Sequence, residues 1–267
     1  MGAISMRQNA EDDREGAQSA VLEGLVAAEL REAGLSVEPA TGVLLARFVA
    51  LLEAATAELS LTTIRDPREA VQRQVVEPLA GWRALAADLP EGPVVEVGAG
   101  GGAPGIPIAI FEAGLGAAGR EVTLVEARER RSGYLRSVVA ALGLTNAEVV
   151  EERGELFGGV DGAGRERFAC ALSRALAKLP VALEVLLPLV QVGGLAAVYA
   201  GPRAAESARE AAVVARALGA EAPQTTPVEW PGAAVRLSLV TARKSSPTAA
   251  RFPRGIRKMR KGLPATD

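Results

Sequence analysis

The chain has 267 residues, a formal net charge of −2, one cysteine and no histidine. Its length suits a single core of about 200 residues with appended ends. The composition excludes a disulfide framework, a cysteine-based zinc cluster and nucleophilic mechanisms that need histidine, and it leaves little with which to hold a transition metal.

Residues 1–18 are polar, carry the acidic run Glu11-Asp12-Asp13 and lack the apolar segment of a signal peptide. They are expected to be disordered. A helical region is expected over residues 19–90. Val21, Leu22, Leu25, Val26 and Leu30 recur at helix spacing, as do Val43, Leu44, Phe48, Leu51 and Leu52, with Gly34 and Pro39 between the two sets. Asp66-Pro67 then opens a further helix to about Ala80. No apolar run is read as long enough to cross a bilayer, so a cytoplasmic protein without a membrane partner is expected.

The pattern changes at Pro93. Residues 91–242 alternate short apolar runs with helical stretches, as in a Rossmann-like α/β domain with a mostly parallel twisted sheet and helices on both faces. Strands are expected near residues 94–97, 122–125, 147–150, 168–172 and 195–199. Helices are expected near 106–113, 130–142, 179–189 and 206–218. A last run, 235–242, fits an antiparallel edge strand. Residues 243–267 form a basic tail: Arg243, Lys244, Arg251, Arg254, Arg257, Lys258, Arg260 and Lys261 face one acid, Asp267. Such a tail on an otherwise acidic chain suits an anionic partner, nucleic acid first.

The run Gly98-Ala99-Gly100-Gly101-Gly102-Ala103-Pro104-Gly105 follows the apolar stretch Val94–Val97 and leads into a helical pattern. Glycines there let the backbone turn sharply and approach a ligand. Gly98-x-Gly100-x-x-Ala103 satisfies a loose dinucleotide fingerprint. S-adenosyl-L-methionine is the other reading. It is favoured by Pro104 and Pro107, which remove N–H groups a pyrophosphate needs, and by Glu96, whose charge a cationic sulfonium tolerates. Glu126, ending the next strand, is placed to accept hydrogen bonds from a ribose diol. Arg153-Gly154-Glu155 follows the third strand, towards an adenine edge. Arg174, ending the fourth, reads either as a ligand contact or as a structural ion pair.

These residues, in this order, resemble the bacterial small-subunit ribosomal RNA methyltransferase G family, also called glucose-inhibited division protein B. Val94–Pro107 is similar to its D-V-G-x-G-x-G-x-P-G-I-P, residues 61–66 (Leu-Thr-Thr-Ile-Arg-Asp) to N-L-T-x-I-R-D, and Arg153-Gly154-Glu155 to R-A-E. Ser173-Arg174-Ala175 is similar to S-R-A, and the tail to R-K-x-x-P-T…Y-P-R. The likeness spans about residues 40–264. It departs from the family pattern at Ser60, Glu96, Ala103, Ala169 and Ala200, and over Gln74–Leu79 where the family has H-x-x-D-S-L. The resemblance implies a monomeric S-adenosylmethionine-dependent enzyme that methylates guanine N7 in 16S rRNA or the small ribosomal subunit. It implies cofactor contacts at Gly98, Gly100, Ala103, Glu126, Gly154, Glu155 and Arg174, no metal and no catalytic base, since N7 carries a free lone pair. A diverged relative that binds cofactor or RNA without this activity, or one with another substrate, fits the same residues.

Overall fold

The computed structural model of the chain describes residues 2–262 apart from Pro202, Ala234 and Val235. Helix α1 (Gly2–Glu32) already begins at Gly2, so the segment expected to be disordered is helical from its first described residue. Ala, Glu, Gln and Arg dominate that segment, and all are strong helix formers. Helix α2 (Pro39–Leu59) is long and apolar enough to cross a membrane by length and composition, contrary to the sequence reading. Its Leu45, Phe48, Val49 and Leu52 are nevertheless buried in the protein's own core.

The Asp66 carboxylate caps α3 (Pro67–Val71) by accepting the Glu69 N–H at 2.8 Å. The single helix expected from there is interrupted. A π turn at Gln72–Val76 leads into α4 (Glu77–Ala86). Pro78 accounts for it: proline has no N–H, and its ring crowds the carbonyl four residues back. The ladder slips by one residue, and the Glu77 N–H bonds the Gln72 carbonyl. The Arg73 carbonyl is thereby released to accept from elsewhere. Further on, α4 lies so close to the sheet at Gly81 that a Cβ there would meet the Tyr199 ring at 2.5 Å, and the Tyr199 hydroxyl donates to the Pro78 carbonyl.

Five apolar runs form parallel strands: β1 (Val94–Val97), β2 (Val122–Val125), β3 (Ala147–Val150), β4 (Phe168–Arg174) and β5 (Val190–Ala200). Two more, β6 (Gln224–Val228) and β7 (Leu237–Arg243), are antiparallel, and the order is β3-β2-β1-β4-β5-β7-β6. The strand expected at 235–242 is β7, and Val235 lies outside the described residues. It is not an edge strand, because β6 pairs outside it. Sequence periodicity misses β6, whose Gln224-Thr225-Thr226-Pro227 is largely exposed; Pro227 is tolerated because the strand lies at the sheet edge.

Helices α5 (Gly105–Gly114) and α6 (Glu129–Leu142) cover one face together with α1–α4. One continuous core there joins Val26 and Phe48 to Trp82, Ile106, Leu135 and Leu172. The other face carries α7 (Gly154–Phe157), α8 (Leu179–Leu186), α9 (Ala204–Ala217) and α10 (Ile256–Lys261).

Much of the basic tail is built into this second face, so several of its cations are not available to an anionic partner. Lys244 is fully buried, and its ammonium donates to the Leu187 carbonyl at 3.0 Å, Thr248 Oγ1 at 2.5 Å and Glu166 Oε1 at 3.2 Å. The Arg254 guanidinium forks onto buried Glu184 with two contacts of 2.7 Å, while Phe252 and Met259 enter the core. Residues 263–267 of the tail lie outside the described residues.

Candidate cofactor crevice at the carboxyl edge of the sheet

β1 has β2 on one side and β4 on the other, so the strand order reverses at β1. Open α/β sheets bind ligands outside the carboxyl ends of the strands at such a point. The glycine run leaves β1 there. Gly98, Gly100 and Gly102 have φ of +76°, +52° and +98°, which glycine alone adopts freely. Gly98 has a second reason to be glycine: a Cβ would come 2.7 Å from Leu176 Cδ1, which lies over the loop from the segment after β4.

The first turn of α5 holds no free donors for a pyrophosphate. Pro104 and Pro107 have no N–H, Gly105 N–H is bound to Glu96 Oε2 at 2.8 Å, and Ile106 N–H is bound to the Gly102 carbonyl at 2.6 Å. Ile108 N–H closes on the Pro104 carbonyl at 3.2 Å. A dinucleotide site uses these very groups, so the crevice is unsuited to one.

Glu96 acts differently from the sequence reading. Its carboxyl is 1% exposed, and burial raises its pKa to about 8, against the lowering effects of the Gly105 N–H and the Arg174 charge. At pH 7 it is mostly neutral, so it packs under α5 and does not repel an anion. A carboxyl whose folded pKa lies above its unfolded value stabilises the fold by keeping its proton. That contribution is complete below about pH 4.5 and is lost as pH rises towards 8. The melting temperature is therefore expected to fall more steeply from pH 5 to 8.5 in the native protein than in Glu96→Gln. Calorimetry at constant ionic strength checks this, and parallel profiles contradict it.

Glu126 sits at the end of β2, nearly buried. One carboxylate oxygen accepts the Gly100 N–H at 3.0 Å and the other the Arg128 N–H at 2.9 Å. Each oxygen keeps a lone pair, so the group can fix the loop and still accept from a diol. Ala103 is buried and packs into the core on the helical face. Gly154 opens α7 where a Cβ would meet Val97 Cγ1 at 2.5 Å and Val185 Cγ1 at 2.7 Å, so it is first a packing glycine. Glu155 follows it and lies 3.6 Å from the Arg153 guanidinium. Arg174, expected at the cofactor, has protein partners: Nη1 donates to the Arg73 carbonyl at 2.6 Å and Nη2 to Gln74 Oε1 at 2.8 Å. Gly100 and Glu126 are thus joined directly, and Gly98 is bound to the Val125 carbonyl beside them, whereas Gly154 and Glu155 follow β3 and Arg174 ends β4.

Sequence reasoning passed over Gly105 and Leu176. A Cβ on Gly105 would overlap both the Glu96 carboxylate and Leu124, and its place two residues past the fingerprint, at the end of the glycine run, was the available signal. Leu176 had no such signal. Among the described residues no group of three or more His, Cys, Asp or Glu could hold a metal.

The family model described as rRNA small subunit methyltransferase G, GidB, matches residues 43–229, which include the glycine run, Glu126 and the loops after β3 and β4. The chain belongs to this family. The methyltransferase G of Chloroflexus aggregans is 35% identical over 212 residues, covering 77% of this chain and 81% of the relative. That of Carboxydothermus hydrogenoformans is 32% identical over 233 residues, covering 87% and 94%. Among solved structures, cofactor-bound Rv0187 from MTB shares the fold at a TM-score of 0.51 and 18% identity, covering 82% of this chain and 97% of that one. As a member of the methyltransferase G family, the chain is a methyltransferase with a class I fold. Its helical region before β1 belongs in good part to the matched segment.

Proposed function

We propose that the chain binds S-adenosylmethionine in the crevice after β1 and methylates N7 of a guanine in 16S rRNA. The observation that carries the cofactor assignment is the donor balance of the loop. The first-turn N–H groups of α5 are spent or absent, while Glu126 offers acceptors beside Gly100. Such a site suits a ligand with a ribose and no pyrophosphate. Family membership supports the rRNA substrate, and the cytoplasm is where such a protein would meet it.

When bound, S-adenosylmethionine supplies a methyl group on a sulfonium, and guanine N7 has the free lone pair to take it without first losing a proton. The chain therefore has to orient rather than deprotonate. Gly98 and Gly100 admit the ligand to the backbone, and Glu126 would hold the ribose. Gly154 and Glu155 would line the adenine edge, and Ala103 would offer its backbone. A cavity of about 460 Å³ opens on the far side of Leu176, lined by Ala177, Lys178, Pro180 and Arg254, and is large enough for a base. Arg254 is neutralised there by Glu184, which leaves Lys178 as the cation that suits a phosphate beside that base.

Calorimetric titration with S-adenosylmethionine and with NAD tests the cofactor assignment. Binding of the first and not the second is expected; the reverse overturns it. Glu126→Ala is expected to weaken S-adenosylmethionine binding at least about tenfold, through loss of a charged acceptor and of the Gly100 tether. Unchanged affinity contradicts the ribose role.

Of the tail cations, Arg257, Lys258 and Lys261 are exposed on α10. Replacing all three with alanine is expected to lower the slope of log K against log salt for 16S rRNA by about 2, at unchanged melting temperature. An unchanged slope shows that these residues do not meet phosphates.

A further inference from the structure

We propose that Gln74, together with the Arg73 carbonyl released by the π turn, is a positioning residue for methyl transfer, holding the Arg174 guanidinium beside the cofactor crevice. This rests on the function proposed above, and it assigns a purpose to a segment where the chain departs from its family's pattern.

In a regular helix the Arg73 carbonyl would accept the Glu77 N–H, but the π turn gives that N–H to Gln72. Arg174 Nη1 takes the vacated acceptor at 2.6 Å, and Nη2 takes Gln74 Oε1 at 2.8 Å. Glu77 Oε1 lies 3.5 Å from Nη1, and its other oxygen pairs with the Arg73 guanidinium. Gln74 and Glu77 are both nearly buried, which is costly for polar groups unless they are satisfied. Arg174 satisfies them across about 100 residues of chain. Among the described residues its Nε–H has no protein acceptor, so the cradle leaves a donor for a ligand.

Position gives the cradle its meaning. Arg174 is the last residue of β4, and Ala175 follows with φ of +56°, a conformation few non-glycine residues adopt. The next residue is Leu176, which covers Gly98. Arg174 is also close enough to Glu96, beneath the same loop, for its charge to be felt there. An arginine has many rotamers, and a free one would lose considerable entropy on meeting a ligand. Three acceptors from one π turn and the helix after it meet that cost during folding.

The test uses full-length protein and 16S rRNA, with the melting temperature, S-adenosylmethionine affinity, kcat and KM measured for each variant. Gln74→Met keeps the length and removes the acceptor; about a tenfold fall in kcat is expected. Gln74→Glu keeps an acceptor and is expected to recover most of that loss. In an Arg174→Met background the effect of Gln74→Met is expected to vanish, because no donor remains at that position for Gln74 to hold. If Gln74→Met does not fold, Gln74→Asn, one methylene short, takes its place with the same expectation. Unchanged kcat in Gln74→Met, no recovery in Gln74→Glu, or an undiminished effect in the Arg174→Met background each overturns the proposal. Native protein that neither binds S-adenosylmethionine nor methylates the RNA overturns the parent function; native activity with unaffected variants overturns only the positioning role.

Discussion

Gly105→Ala is expected to eliminate S-adenosylmethionine binding at micromolar concentrations and to cost about 2–4 kcal/mol of stability. The added methyl would occupy the space of the Glu96 carboxylate and Leu124. Neither can withdraw cheaply. Leu124 is interior to β2 and fully buried, and Glu96 is held by the Gly105 N–H itself. Relief requires α5 to lift off the sheet, and the loop from Gly98 to Pro104 must follow, because Ile106 N–H ties the helix to Gly102. The altered loop would no longer offer Gly100 to Glu126. Thermal denaturation and calorimetric titration of the variant check both parts. Binding within twofold of the native value would show that the helix–strand approach is not what shapes the site.

The second large effect lies at the opposite edge of the sheet. Lys244→Met is expected to lower stability by about 3 kcal/mol, which is about 6–12 °C in melting temperature for a protein of this size. It would leave the buried Leu187 carbonyl and Thr248 hydroxyl without their charged donor. Glu166, 28% exposed, can turn to water, and this keeps the cost below that of a fully buried broken pair. Lys244 bonds around the start of β5, whereas the crevice lies at the carboxyl ends of the strands, so S-adenosylmethionine affinity is expected to stay within twofold. A melting temperature lowered by under 2 °C would show that this lysine does not anchor the tail. A matching loss of affinity would show that the tail and the crevice are coupled.

The two variants separate what sequence could reveal from what it could not. Strands β1, β2 and β4 are apolar runs buried on both faces, β3 is a half-exposed run at the sheet edge, and the alternation of β1 to β5 with helices dictates a parallel sheet. The glycine run was legible for the same local reason. The prolines that weigh against a pyrophosphate are visible in the sequence, whereas Glu96 spends a further donor, the Gly105 N–H, which only the structure shows. Other features depend on partners far away in sequence. Lys244 looks like one of eight tail cations until Glu166, Leu187 and Thr248 surround it. Arg174 reads from sequence as either a ligand contact or an ion pair, and its partners Arg73 and Gln74, brought to it by the π turn at Pro78, carry no sequence signal of their own. Strand β6 carries almost no apolar signal, because it needs only β7 as a neighbour.

The central claim is a methyl transfer to guanine N7, and one reaction tests it most directly. Purified protein is incubated with S-adenosylmethionine and unmodified 16S rRNA or small subunits, and N7-methylguanine is then mapped by borohydride–aniline cleavage. The account predicts a single new cleavage site that requires both protein and cofactor and is lost with Gly105→Ala. Cofactor binding without any new cleavage site on either substrate would contradict it.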